Sequence, residues 1–352
     1  MVVVDGWTKG ADGQQTRREV NVTSVSSLLA ELRAEIFSGE PPEEFPVANE
    51  PWGSFAFRPG DIVAIAAPPA MGKTALITQT TVDSLRLNAN ASCLFCNVEM
   101  TPKTILERQV SRLSGVTYEQ IARRSIPHGE HREIERALAT LESIGDRMAF
   151  MGPPFSIEHV IEAVAAIQPR ILVLDYLQRI TCCDGVADTR VRLNSVMHAA
   201  RSIASAGVCV VLISAVGRTQ SKKGGGYNAS ELGMGSFRES SEVEYGADDA
   251  FVMVEEGSAV DVTGYRTVIM KHVKSRNHRQ RDIRLEFDGA IQRFRLLPDR
   301  TEGQASADHV YDEVVSPEEM RRETGRRLTL RAPIDIDASF LDPDGRDAGA
   351  AG

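Results

Sequence analysis

Residues Ala67-Pro68-Pro69-Ala70-Met71-Gly72-Lys73-Thr74-Ala75 place one cation and one hydroxyl behind a run of small residues, directly after the apolar stretch Ile62-Val63-Ala64-Ile65. A strand, a tight loop ending in Gly-Lys-Thr and then a helical pattern make a phosphate-binding loop. Loop amides and the positive end of the helix converge on phosphate oxygens. In that arrangement Lys73 reaches the β- and γ-phosphates, and the Thr74 hydroxyl ligates Mg²⁺, which makes a nucleoside triphosphate the expected ligand. Ala67 stands where the general Gly-x-x-x-x-Gly-Lys-Ser/Thr pattern has its first glycine.

A second group fits the same chemistry. Arg170-Ile171-Leu172-Val173-Leu174-Asp175-Tyr176 is an apolar run closed by a carboxylate. Continuous apolar runs are the mark of parallel strands covered on both faces. A carboxylate at the C-terminal end of such a strand faces the ligand edge of the sheet, where Asp175 joins Thr74 as a metal-shell residue. Cys93-Leu94-Phe95-Cys96 has metal-like spacing, but no second Cys or His pair completes a site, and its flanks read as a buried strand. Core packing is therefore the expectation for both thiols.

These residues need a scaffold, and the pattern around them supplies an α/β one. Strands are expected at 62–66, 92–97, 147–151, 171–175 and 208–214. Helices are expected at 74–87, 102–113, 131–141, 157–167 and 190–206. Thr101-Pro102 is a cap followed by a proline at the first helical position. The alternation predicts a mostly parallel sheet with right-handed crossovers. After Ala247 the pattern changes to short β runs at 250–254, 267–273, 283–287 and 291–295, expected as an antiparallel extension at the sheet edge.

Three regions follow. Residues 1–57 comprise a polar, mobile start, an amphipathic helix over 24–37 and a Pro-rich connector from Glu40 to Phe57. Val25, Leu28, Leu29, Leu32 and Ile36 recur along that helix at helical spacing, and Gly39 with Pro41-Pro42 stops it. Its apolar stripe has two suitable partners, its own core or a neighbouring subunit. Residues 58–298 form the α/β core. Residues 299–352 form an acidic tail, expected to be largely disordered with a short helix near 316–327. From Thr301 onward it holds twelve Asp and Glu against six Arg, so −6 of the net charge of −9 lies there.

Composition excludes several classes. With 42% hydrophobic and 25% charged residues in 352, the chain is ordinary for a globular protein of one to two domains. No apolar run approaches the ~20 residues of a membrane span. Met1 to Arg18 lacks the basic and apolar parts of a signal peptide. Five cysteines suit a reducing compartment, so the expected location is cytoplasmic.

Several signals together resemble one family. Ala67-Pro68-Pro69-Ala70-Met71-Gly72-Lys73-Thr74 is similar to the Ala-Arg-Pro-Ser-Met-Gly-Lys-Thr of DnaB-type replicative helicases, where alanine is normal at the first glycine position. Phe95-Cys96-Asn97-Val98-Glu99-Met100 resembles that family's Phe-Ser-Leu-Glu-Met, and Asp175-Tyr176-Leu177-Gln178 matches its Asp-Tyr-Leu-Gln. Phe237-Arg238-Glu239-Ser240 with Glu242-Val243-Glu244 and Ala247-Asp248 is similar to its Leu-Arg-Glu-Ser, Ile-Glu and Ala-Asp. Lys274-Ser275-Arg276-Asn277 matches its Lys-x-Arg-Asn. The resemblance covers about residues 55–296 and corresponds to the family's C-terminal RecA-like motor domain. The family's N-terminal helical domain is expected to be absent, with residues 24–37 at the place of the linker helix.

The resemblance implies a RecA-like P-loop NTPase core in a homo-oligomeric ring, usually a hexamer, with ATP at subunit interfaces. It implies Glu99 as general base for the attacking water. Lys274 and Arg276 alternate on one strand face and would act in trans on a neighbour's γ-phosphate. The alternative for that pair is a solvated basic strand, since Lys271, Arg279 and Arg281 make the whole stretch basic. Arg238-Glu239 would brace the site as an ion pair. Loops 181–189 and 219–236 would face the ring channel, the second offering Lys222, Lys223, Gly225 and Tyr227 to phosphates and bases of single-stranded DNA. The implied activity is ATP-driven translocation on single-stranded DNA and duplex unwinding, with a loader or replication proteins as partners.

One position departs from the family, which carries Ser-Gln at the end of the strand after the metal Asp. The run here is Ile213-Ser214-Ala215-Val216-Gly217-Arg218, with Ser214 or Arg218 as substitutes for the missing amide. That departure favours the alternative function: an oligomeric ATPase of the same type acting in recombination, regulation or defence without unwinding.

Overall fold

The computed structural model describes residues 2–9, 15–50, 52–53, 55–182, 189–215, 246–256 and 264–298. The chain separates into two compact units, Met1–Glu43 and Glu44 onward. In the first unit, strands β1 (Val2–Lys9) and β2 (Gln15–Val22) pair antiparallel, followed by helix α1 (Val25–Ser38). The segment expected as a mobile start carries this strand pair. Val2 and Val4 stand opposite Val22 and Val20, β-branched residues outweighed by the polar ones around them. The Ser24 hydroxyl caps α1 by accepting from the Ser27 N–H, and Gly39 ends it at φ +72°. Val25, Leu28, Leu29, Leu32, Ile36 and Phe37 are all exposed on it.

The second unit begins with two short paired strands, β3 (Phe45–Pro46) and β4 (Ala56–Phe57). In the stretch expected as a connector, Phe45, Val47, Trp52, Phe55 and Phe57 are buried in the core. Among the described residues the main sheet has nine strands. In chain order they are β5 (Ile62–Ala67), β6 (Cys93–Asn97), β7 (Met148–Phe150), β8 (Ile171–Asp175), β9 (Cys209–Ala215), β10 (Asp249–Glu255), β11 (Tyr265–Ser275), β12 (Ile283–Asp288) and β13 (Arg293–Leu296). Their spatial order is β13-β12-β11-β10-β5-β9-β8-β6-β7. From β7 to β10 all pairings are parallel, and from β10 to β13 they are antiparallel.

β10 corrects one expectation. Of the four late strands only β11 to β13 extend the edge antiparallel, whereas β10 lies parallel beside β5. Its burial from Asp249 to Val254 on both faces is what an interior strand requires.

Period-two alternation distributes each parallel strand between two cores. Ile62, Ala64 and Ala66 of β5 face one layer, with Leu94, Leu172, Leu174, Val210 and Leu212. Val63, Ile65 and Ala67 face the other, with Phe95, Val173, Val211 and Phe251. Helices α6 (Ile157–Ile167) and α7 (Thr189–Ser205) cover the first layer, and α2 (Lys73–Leu87) covers the second. Cys93 and Cys96 fall on opposite faces of β6, three positions apart in a period-two strand, so they cannot act as a chelating pair. Burial pushes both thiols up, Cys96 to about 12.

Between β6 and β7 stand α3 (Pro102–Ser114), α4 (Tyr118–Arg123) and α5 (His131–Glu142). The sequence reading missed α4. Its signal was local: Thr117 and Gln120 form a reciprocal capping box around a two-turn helix too short to show periodicity.

Candidate active site

Parallel strands deliver their C-terminal ends to one edge of the sheet, the loop edge. There β5 ends at Ala67, and α2 begins at Lys73 after Pro68-Pro69-Ala70-Met71-Gly72. Gly72 has φ +83°, and a Cβ on it would stand 3.0 Å from Phe294 Cζ and 3.3 Å from Phe287 Cζ. Glycine is thus required twice, for the left-handed backbone and for close approach to two rings stacked with centroids 4.3 Å apart. Those rings are held in place from α2, where Gln79 donates to the Phe294 carbonyl and accepts from its N–H, both at 2.8 Å.

Lys73 bends back over the loop, its Nζ donating to the carbonyls of Ala67 at 3.0 Å and Pro68 at 3.2 Å. Burial draws its ammonium below the usual range, against the opposing pull of Asp175 and Glu99. Thr74 Oγ1 donates to Asp175 Oδ2 at 2.7 Å. Strand register brings Asn97 of β6 level with Asp175 of β8, and Asn97 Nδ2 donates to the same oxygen at 2.6 Å. Asp175 is 1% exposed, and burial pushes its carboxyl up to about 6 despite both hydrogen bonds and Lys73. A buried carboxylate beside a hydroxyl, held by neutral hydrogen-bond donors, offers the hard oxygen pair that suits Mg²⁺ at a phosphate site.

Glu99 follows β6 at this edge and is exposed. Asn97 Oδ1 accepts from the N–H groups of Glu99 at 3.0 Å and Met100 at 2.6 Å, which fixes the turn that carries Glu99. Asn97 was not singled out from sequence. Its signal was a polar residue closing an apolar run, but its partner became visible only through the β6–β8 register.

Ala67, Lys73, Thr74, Glu99 and Asp175 therefore share the loop edge. Lys274 and Arg276 do not. β11 runs antiparallel to β10, so Ser275 pairs with Asp249 at the opposite, far edge, where β5 begins. β5 has six residues, which at ~3.3 Å each sets the two edges roughly 17–20 Å apart. Arg276 lies one residue past β11, with its side chain half exposed, and its Nη1 donates to Asp248 Oδ1 at 2.9 Å.

Ala215 ends β9 in register with Ala67 and is exposed. Its neighbour Ser214 accepts from Gln178 Nε2 at 2.8 Å, so an amide does reach this strand end, from the Asp-Tyr-Leu-Gln segment. Lys222, Lys223, Gly225, Tyr227, Arg218, the Arg238-Glu239 pair and the acidic tail lie outside the described residues, as does most of loop 181–189.

Comparison with known proteins gives the family and the fold. The family model for the DnaB-like helicase C-terminal domain matches residues 54–296. A probable plasmid replicative DNA helicase of Chlamydia psittaci is 37% identical over 89 residues, a match that spans 25% of this chain and only 18% of that relative's length. Among solved structures, one described as an ATPase domain superposes with a TM-score of 0.65 at 18% identity, over 79% of this chain and all of that one. A DnaB-like replicative helicase, solved in a study of its interactions with primase, gives 0.64 at 17% identity, over 77% of this chain and 68% of that one. At such identities the two structures speak for the fold, which is RecA-like.

Proposed function

We propose that this chain, which belongs to the DnaB-like helicase C-terminal domain family, is the motor of a homo-oligomeric ring, hexameric as is usual for the type. It uses ATP with Mg²⁺ to move along single-stranded DNA and unwind duplex. The observation that carries this reading is the separation of the two halves of the site. Lys73, Thr74, Glu99 and Asp175 stand at the loop edge, while Lys274 and Arg276 stand at the far edge of the same sheet. Within one subunit they cannot meet on one phosphate. In a head-to-tail ring the far edge of one subunit meets the loop edge of the next, which is how heterologous interfaces close.

In this mechanism the loop amides and Lys73 hold the β- and γ-phosphates, and Thr74 and Asp175 hold the cation. Bound Mg²⁺ would neutralise charge on the phosphate oxygens. Glu99 accepts a proton from water as the water oxygen bonds to the γ-phosphorus and the bond to the β,γ-bridging oxygen breaks. The neighbour's Arg276, with Lys274, stabilises the charge that spreads over the γ-phosphoryl oxygens. Lys222, Lys223, Gly225 and Tyr227 are the proposed DNA contacts, in line with their two cations and one aromatic ring.

The exposed apolar stripe of α1 supports a place for that helix on the next subunit. Deleting residues 1–40 should shift the protein to smaller species in sedimentation, and an unchanged assembly would remove α1 from ring formation.

Ala215 favours a second reading, a DnaB-like ATPase that assembles or switches without unwinding, because alanine has no group to link γ-phosphate to DNA loops. One experiment separates the two: ATP hydrolysis with and without single-stranded DNA, alongside strand displacement of a forked duplex. Stimulated hydrolysis with ATP-dependent displacement supports the motor. Hydrolysis with no displacement selects the second reading, and no hydrolysis under any condition rejects both.

A further inference from the structure

The Asp248 carboxylate holds Arg276, and it also holds the start of β5. Asp248 Oδ2 accepts from the Ile62 N–H at 2.9 Å and from Arg201 Nη1 of α7 at 3.0 Å. Its Oδ1 accepts from Arg276 Nη1 at 2.9 Å. Its main chain repeats both links: the Asp248 N–H donates to the Ile62 carbonyl at 2.8 Å, and the Arg276 N–H donates to the Asp248 carbonyl at 3.0 Å. Arg201 is anchored further through the Gly246 carbonyl. Asp248 is buried, so its charge requires these partners. Ile62 is the first residue of the strand whose other end is Ala67.

We propose that Asp248 is a positioning residue for the trans-acting cation. It indexes the Arg276 guanidinium on the first residue of the subunit's own phosphate-loop strand, so that the reach of Arg276 toward the next subunit is set by a rigid internal reference. The proposal rests on the trans role of Arg276 given above. A half-exposed arginine has many rotamers, and a fixed carboxylate removes most of them before the neighbour's nucleotide arrives. Arg201, on the same carboxylate, holds Asp248 itself in place from α7.

The test uses the full chain with Asp248→Glu, which keeps the charge and moves the carboxylate, and Asp248→Asn, which removes the charge. Affinity for a fluorescent ATP analogue should stay at the wild-type value in Asp248→Glu, because the loop edge is untouched. Turnover should fall about 10–100-fold, the scale expected when a catalytic group is misplaced by about 1 Å. The loss should vanish in the Arg276→Ala background, where there is no guanidinium left to position. If Asp248→Asn does not fold, Asp248→Glu decides alone.

In rings mixed with Lys73→Ala subunits, the slow sites should be those whose Arg276 comes from an Asp248→Glu subunit. Wild-type turnover in a folded Asp248→Glu protein, or a loss that simply multiplies with that of Arg276→Ala, overturns the proposal while leaving the trans role intact. Wild-type turnover in Arg276→Ala itself overturns the trans role, and this proposal with it.

Discussion

The two edges of the sheet each bury an aspartate, and they treat it in opposite ways. At the loop edge, Asp175 receives neutral donors, the Thr74 hydroxyl and the Asn97 amide, and burial still pushes its carboxyl up to about 6. At the far edge, Asp248 receives two guanidinium groups and a main-chain N–H. The first carboxylate is short of positive charge and suits an incoming cation. The second already carries its cations and suits holding them in place. Asp61, close to the far edge, is itself pushed up by burial and by Asp248 and Asp249, against the opposing pull of Arg58 and His278. Burial alone does not separate these two aspartates in their proposed roles. The charge of their donors does.

The largest expected effect lies at the loop edge. Lys73→Ala should abolish nucleotide binding in a direct titration, since Lys73 brings the ammonium that sits over the loop. Retained tight binding would mean that the loop amides suffice and that the edge is less dependent on charge than the comparison implies.

Arg276→Ala should bind nucleotide normally and lose turnover by about 10³–10⁵, the range for trans-acting arginines. Mixing it with Lys73→Ala protein, each inactive alone, should restore hydrolysis at interfaces that pair an intact Lys73 with a neighbour's intact Arg276. A mixture that stays inactive while mixed rings demonstrably form would return Arg276 to a purely structural place beside Asp248.

Glu99→Gln keeps the Asn97-fixed turn and should bind nucleotide while slowing hydrolysis by ~10²–10⁴, the usual share of a general base. Full activity in steady-state assays would remove Glu99 from the chemistry. The smallest effect is expected from Gly72→Ala. A left-handed backbone and displacement of the Phe294 ring should cost roughly 1–3 kcal/mol in urea unfolding, and no loss of stability would show that β13 yields easily to the loop.

Much of the loop edge was legible in the sequence because its signals are short-range. Ile157–Ile167 and Ile171–Asp175 have the same bounds in both readings, since apolar runs and caps are local properties. Gly72-Lys73-Thr74 declared itself by spacing within one turn of chain. The antiparallel pairing of β1 with β2 was not legible, because their few valines, Val2 to Val4 and Val20 with Val22, are outweighed by polar neighbours. The interior position of β10 was not legible either. An apolar run of that length serves an edge or an interior strand, and only its pairing with β5 decided between them.

By itself, then, the amino-acid order determined the strand–loop–helix unit, the carboxylate at the end of β8 and the α/β alternation, all through hydrophobic period and turn chemistry within a few residues. It also carried the family resemblance. Tertiary structure alone decided that Asn97 shares an oxygen with Thr74, and that Lys274 and Arg276 stand at the opposite edge from Lys73. It alone joined Ile62, Arg201 and Arg276 on Asp248. Those contacts link positions 28 to 186 residues apart. Strand order and register create them, and neither leaves a mark in local periodicity.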